Sequence, residues 1–298
     1  MLAPLAAPHS ADDSIDPGSA QSRPPGTLLY EIELENERRM LADSAERLAG
    51  GGLAVVRRGQ YQELGAEELT DKAPQLRRFV LGTDHLGRDL LSRLLHGLRN
   101  SLAVALSAAL LSTLLGLAIG LAAGGFGRIV DRTVMRLVDV AIGVPKLFLV
   151  LAVVAVVEPS VPLLIAILTA TTWMPTARLV RARVLALSDR DFVLAATVSG
   201  CSPWRRLLHH QLPHVAAMAV MLAVLRIGNL VLLESTLSFL GAGLAPPTPS
   251  LGGMVAEAAQ LASPSWWTVV FPGTAVALPC LLSNWLANQL IDSPRFGS

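Results

Sequence analysis

The chain has 298 residues, 52% of them hydrophobic and only 16% charged, with a formal net charge of +1 and a mean hydropathy of +0.51. A soluble domain carries about a quarter charged residues, so this balance points to an integral membrane protein, and nothing in the near-zero net charge suggests a nucleic-acid partner. Cys201 falls in a polar loop and Cys280 in an apolar run, which predicts neither a disulfide between them nor a metal site.

Residues 1–9 are apolar, but a nine-residue helix covers only about 14 Å of a hydrocarbon core roughly 30 Å thick. No basic residue precedes them as a signal peptide requires, so the stretch reads as the outer end of a span whose body is missing. A Pro/Ser/Asp-rich loop follows. TLLYEIELENERRMLADSAERLAGGG (27–52) then reads as a charged helix of about five turns, ended by Gly50, Gly51 and Gly52. After a mixed stretch, Leu90, Leu91, Leu94, Leu95 and Leu98 form one stripe with Arg88, Arg93 and Arg99 elsewhere, which predicts an amphipathic lead-in helix at 81–100. Gly82 and Gly87 resemble no phosphate cradle, because Asp84 and Asp89 would repel the anion.

Five long apolar segments complete the chain, at about 101–125, 133–157, 161–179, 215–240 and 266–291. Each is long enough to cross a bilayer as a helix, and lipid leaves the backbone no open alternative. Arg128, Arg132 and Arg136 sit in or beside the first link. Arg178, Arg181, Arg183, Arg190, Arg205 and Arg206 crowd the third, while the links around Glu158 and at 241–265 hold no Lys or Arg. The excess of positive charge on inner links therefore predicts residues 1–100 outside the cytoplasm and the C-terminus within it.

Gly116, Gly120 and Gly124 recur every four residues in the first span and predict a close helix-packing face. Pro145, Pro272 and Pro279 fall inside spans and predict kinks. Asp139, Lys146, Arg226, Asn229 and Glu234 lie in or near apolar runs, where ionisable groups are costly and face a bundle interior or a water-filled cavity. Arg226, Asn229 and Glu234 are candidate translocation-path residues, with structural pairing as the competing reading and snorkelling as the competing reading for Lys146. Arg226 and Glu234 are eight residues, about 12 Å, apart on one helix and too distant to pair directly. His209, His210 and His214 cluster without a carboxylate or thiolate at ligand spacing. No phosphate-binding loop, nucleophile elbow or zinc-protease motif occurs, so no catalytic residue, metal or cofactor is expected.

One polar segment interrupts the apolar runs: FVLAATVSGCSPWRRLLHHQLPH (192–214). Its residues predict a short helix, a break at Gly200, a second helix started by Ser202-Pro203, and Pro213 at the start of the next span. A helical pair standing out of the membrane suits docking in a partner's groove. The segment resembles the Glu-Ala-Ala loop of ABC importer permeases, with Ala195, Ala196, Gly200, His210, Leu212 and Pro213 in register. GTDHLGRDLLSRLLHGLRNSL, DRTVMRLVDVAIGVPKLFL, WMPTARLVRARVLALSDRDFV and LLESTLSFLGAGLAPPTPSLGGM extend the resemblance over 81–295, to the C-type subunit of the dipeptide, oligopeptide and nickel branch.

The resemblance implies an all-α integral membrane protein with the type I ABC importer transmembrane fold, five spans visible where the family has six. It implies an extracytoplasmic segment at 1–80, a permease core at 101–295 and a cytoplasmic coupling loop at 183–213, with Ala195, Ala196, Gly200, Ser202, Pro203, His210 and Pro213 as its coupling residues. The implied partners are a second homologous permease, two cytosolic ATP-binding subunits, an extracytoplasmic substrate-binding protein and membrane lipid. The chain would form half of a path for di- or oligopeptides or a related solute such as a nickel chelate, with ATP hydrolysis left to its partners. Leu194 stands where the family has its acidic residue, and Lys146 and Arg226 stand where it is uncharged. A motor-independent secondary transporter is the alternative, but it calls for inverted repeats that the sequence does not show, and a membrane enzyme would need clustered catalytic residues.

Overall fold

The structure, a computed structural model, describes residues 16–36, 38–70, 72–245, 247–261 and 265–291. The expected outer end of a span at residues 1–9 lies outside them. The described residues fall into two compact units: one takes the chain up to Asn100 together with 247–275, the other takes Ser101–Ala245 and the chain from Val276 onward.

The first unit corrects the charged helix expected at 27–52. That stretch instead forms β1 (Thr27–Glu33), β2 (Arg39–Ala42) and β3 (Ser44–Arg47), followed by β4 (Leu53–Arg57), β5 (Gln60–Leu64) and β6 (Gln75–Phe79). They make two antiparallel three-stranded sheets, ordered β2-β1-β6 and β3-β4-β5. Both faces of the first sheet are covered. Leu29, Leu41 and Phe79 bury with Ala20 on one side, while Ile32, Met40 and Ala42 meet Leu53, Val55 and Leu64 on the other. Neighbours in β2 thus point to opposite cores, which the period-two geometry of a strand allows and a helix does not. Gly50, Gly51 and Gly52 end no helix. Gly51 has φ +82° in the β3–β4 turn, and a Cβ on Gly52 would stand 2.6 Å from the Leu64 carbonyl oxygen.

The lead-in helix expected at 81–100 is also corrected. Residues 81–89 instead form a loop closed by an antiparallel β-bridge between Thr83 and Asp89, and the helix beginning at Leu90 runs without a break into the first span as α1 (Leu90–Gly125), 36 residues long. Asp89 sets its start, its carboxylate accepting from the Ser92 N–H at 3.0 Å. Arg93 is not on a solvated side: it is 3% exposed and bonds Asp84 and Glu257. The link at 241–265 carries a helix of its own, α8 (Leu251–Ala259), capped by Ser250 and held to α1 by Asn100 Nδ2 donating to the Pro249 carbonyl at 2.9 Å.

In the second unit every described regular element is a helix: α2 (Arg128–Gly143), α3 (Lys146–Val154), α4 (Val161–Thr172), α5 (Met174–Ser188), α6 (Asp191–Val198), α7 (Pro203–Phe239) and the remainder of α1 and of α9 (Trp266–Ile291). Three helices, α1, α7 and α9, are long and apolar enough to cross a membrane alone. The second and third expected spans are broken: α2 and α3 meet at 74°, α4 and α5 at 42°, which gives up to five spans if each pair counts as one. Pro145, which lacks an N–H, stands at the first break, as the sequence predicts. Pro175, near the start of α5, accompanies the second, which the sequence reading missed. The glycine face packs as expected. A Cβ on Gly116, Gly120 or Gly124 would come within 2.6–2.7 Å of Thr176, the Ala177 carbonyl or Val184, so α1 approaches α5 at a separation only glycine permits. Cys201 and Cys280 are both free.

Candidate functional site

Two places in the second unit gather the sequence-predicted residues. The first is the loop between α5 and α7. Its helix α6 ends in a Schellman motif: the Cys201 N–H bonds the Ala196 carbonyl at 3.0 Å and the Gly200 N–H bonds the Thr197 carbonyl at 3.1 Å. Gly200 occupies the left-handed position of that motif with φ +77°, and nothing lies within 4 Å of where its Cβ would be. Its requirement for glycine is therefore conformational and not steric. Ser202 then caps the next helix, accepting from the Arg205 N–H at 3.5 Å, and Pro203 takes a first-turn position where no N–H is needed.

That second helix differs from the expectation. It does not stop before Pro213 but continues through a π-helical stretch, Arg206–Gln211, directly into the following span, so the loop's second arm and α7 are one rod. His210 lies half-buried in the π segment, and Pro213 lies near the start of the regular α-helix beyond it. Several contacts fix the rod to its surroundings. Arg206 Nη1 donates to Thr197 Oγ1 at 3.2 Å, buried Gln211 donates to Ser188 Oγ at 3.0 Å, and the rings of Phe192 and His214 lie 5.2 Å apart. The far end of α1 supports it, with Phe126 edge-on to Trp204 at 4.8 Å and Gly125 against Leu207. The outer surface keeps Phe192, Leu194, Val198, Trp204 and Leu208 exposed, Val198 at 89%. Ala195 is exposed beside them and Ala196 half-buried. The result is a braced, glycine-bent helical corner with an apolar outer face.

The second place is a cleft of about 310 Å³ lined by Lys146, Thr172, Arg226 and Asn229 among Pro175, Leu222, Leu225, Leu230 and Leu233. Arg226 Nη1 donates to Ser112 Oγ at 3.1 Å and Nη2 donates to Thr176 Oγ1, so two hydroxyls fix the guanidinium without neutralising it. Glu234 is not part of this cleft. It is fully buried and accepts from Ser238 Oγ at 2.8 Å, with Ser101 supplying a further hydroxyl. The structure thus brings Arg226 and Asn229 together, leaves Glu234 apart, and adds Lys146 and Thr172. Lys146 carried a signal in the sequence, a lysine in an apolar run. Thr172 carried none.

One further cluster lies in the first unit, where ligand atoms of Asp84, His85 and Glu257 fall within 4.8 Å of one another. Both carboxylates already hold guanidiniums, Asp84 those of Arg88 and Arg93 at 2.7 and 2.6 Å and Glu257 the same two at 2.8 and 2.7 Å. Two fixed cations at these distances repel a metal ion, and the cluster is an ion-pair network.

Residues 116–295 match the family model described as the binding-protein-dependent transport system inner membrane component. Over 214 residues the chain is 40% identical to the dipeptide transport system permease protein DppC of Escherichia coli K12, covering 72% of this chain and 71% of that one. It is 34% identical over 219 residues to the oligopeptide transport system permease protein OppC of Mycobacterium bovis, covering 72% and 74%. Among solved structures, an inward-facing form of the MetNI methionine ABC transporter superposes with a TM-score of 0.56 at 18% identity, over 66% of this chain and 94% of that one. The braced loop, the broken apolar spans and these likenesses converge: the chain belongs to the binding-protein-dependent transport system inner membrane component family, a multi-pass ABC importer permease with the type I fold.

Proposed function

We propose that this chain is one of two related permease subunits of an ATP-driven importer for di- or oligopeptides or a related small solute such as a nickel chelate. The observation that carries the proposal is the corner at Gly200. A short helix ends in a left-handed glycine, turns, and continues as a rod that becomes a membrane span, so a push on its exposed apolar face moves a whole helix. Such a corner fits a groove on a cytosolic ATP-binding subunit, one per permease. Closure of the paired ATP-binding subunits would rock α7 and the helices packed on it, opening the path towards a substrate-binding protein on the other side. Residues 1–100 would lie outside the cytoplasm and the C-terminus inside. Dipeptides and oligopeptides are proposed as cargo because the named relatives are dipeptide and oligopeptide permeases. The chain itself performs no covalent chemistry on this reading. Affinity purification of the tagged chain from native membranes tests it: a second permease and a pair of ATP-binding subunits should accompany it, and purification alone, with solute uptake persisting, refutes it.

A further inference from the structure

The cleft between Lys146 and Arg226 holds two positive charges that no carboxylate among the described residues neutralises. Their depth is informative. Arg226 stands midway along Leu212–Phe239, and its hydroxyl partner Ser112 stands midway through the apolar stretch 101–125. At 1.5 Å per residue the ends of this regular part of α7, beyond the π segment, are about 20 Å away in either direction, so Arg226 sits near the middle of the apolar crossing. Lys146 is the first residue of α3, directly after the 74° break in the second span. A broken span at mid-depth brings the positive end of a half-helix to the same place, an arrangement by which transport proteins receive anionic groups. Asn229 adds an amide, and the leucines around the cleft keep the local dielectric low, which strengthens attraction to an incoming negative charge. A charge held at this depth without a counter-ion is costly, and a transient anion would offset that cost.

We infer that this cleft is a selectivity site on the path, binding the carboxylate of a passing solute between Lys146 and Arg226. The inference rests on the permease reading and narrows its substrate class to solutes with a free carboxylate, such as peptides with an unmodified C-terminus. A lipid phosphate offers similar chemistry, but headgroups lie at the bilayer surface, about 20 Å from Arg226 by the helix rise. At about 310 Å³ the cleft is at the small end of ligand pockets, which run from about 300 to 1,000 Å³, so it accepts a small solute or one end of a longer one. Arg226 positions through geometry: Ser112 and Thr176 hold its guanidinium and leave the remaining N–H groups for the ligand.

The test is cysteine protection in the assembled importer, reconstituted in phosphatidylcholine vesicles, with Leu222→Cys as the only thiol of this chain (Cys201→Ser, Cys280→Ala). Dialanine should slow modification by a neutral maleimide, and its C-terminal amide should not. Arg226→Gln should weaken the protection about tenfold, Lys146→Gln should weaken it similarly, and Arg226→Lys should weaken it less than Arg226→Gln, since it keeps the charge but loses the two-hydroxyl hold. Equal protection by acid and amide, no protection by either, or protection unchanged in the glutamine variants overturns the inference. Protection that follows added phosphatidylglycerol and ignores dialanine also overturns it and assigns the cleft to lipid. ATP-driven uptake of solute delivered by the binding protein, measured in the same vesicles, is a separate readout: its absence in the parent chain refutes the permease reading, while the protection pattern still decides the carboxylate site.

Discussion

Arg93 and Glu257, 164 residues apart, form a two-point ion pair, with Nη1 to Oε2 at 2.7 Å and Nη2 to Oε1 at 3.0 Å. Arg93 is 3% exposed and also holds Asp84 at 2.6 Å, so one guanidinium clamps the start of α1 to both the turn before it and to α8. A buried pair adds little by itself, but breaking it strands a charge. Glu257→Ala should therefore destabilise this unit by about 1–3 kcal/mol, moderated by the retained Asp84 contact. In a chain whose Trp173, Trp204, Trp266 and Trp285 are replaced by Phe, the indole of Trp267, which donates to the Thr83 carbonyl at 3.1 Å, should report the loss as an earlier fluorescence transition on heating.

The same clamp has a defined pH window. Burial opposes ionisation of Asp84, but the Arg93 and Arg88 charges outweigh it and hold the carboxyl below its ordinary value. Burial likewise opposes ionisation of Glu257, and the hydrogen bond and charge of Arg93 hold it low. Carboxyls lowered on folding add stability that is complete above their unfolded values and is lost as pH falls through the folded ones. The clamp should be at full strength at neutral pH and release only below about pH 4. The Trp267 transition should stay constant from neutral to mildly acidic pH in the parent chain, and the Glu257→Ala difference should shrink only below that range.

Gly200→Val should uncouple ATP hydrolysis from uptake, because the left-handed conformation costs a β-branched residue at least ~1–2 kcal/mol. Gly200→Asn should retain coupled transport, since asparagine tolerates that conformation and no neighbour obstructs its Cβ. Coupled uptake in the valine variant would refute the conformational role.

On the packing face, Gly120→Ala should cost about 1–3 kcal/mol, since its Cβ would meet the Ala177 carbonyl at 2.6 Å and Val180 at 2.7 Å. Gly143→Ala, with nothing within 4 Å, should leave thermal stability in detergent unchanged.

The apolar spans were legible because hydropathy needs no knowledge of what packs where, and Gly116, Gly120 and Gly124 were legible because their spacing is itself the packing geometry. The sheets were not. Leu29 and Ile32 are three apart, as on a helix face, yet belong to opposite cores of a strand covered on both sides, so the alternation that marks a half-buried strand is absent. Arg93 read only as lying off the leucine stripe, because the partner that buries it is 164 positions away. In the loop, the break at Gly200 was visible from residue type, whereas the fusion of its second arm with α7 was not, because Pro213 reads as a helix start and is tolerated here in the first turn after the π segment.

Ser44→Cys, exposed at the start of β3, tests the orientation. In a background free of Cys201 and Cys280 it should react with an impermeant maleimide added to intact spheroplasts, and reaction only after lysis would invert the topology.

Crosslinking from Val198→Cys, a site 89% exposed on α6, tests whether the corner at Gly200 receives the motor. In native membranes, with Cys201 and Cys280 replaced, a short thiol crosslinker should join it to an ATP-binding subunit, in a yield that changes on adding ATP, while Tyr61→Cys in the same background, exposed on β5, should give no such product. An ATP-binding subunit captured from Tyr61→Cys and never from Val198→Cys would contradict the account.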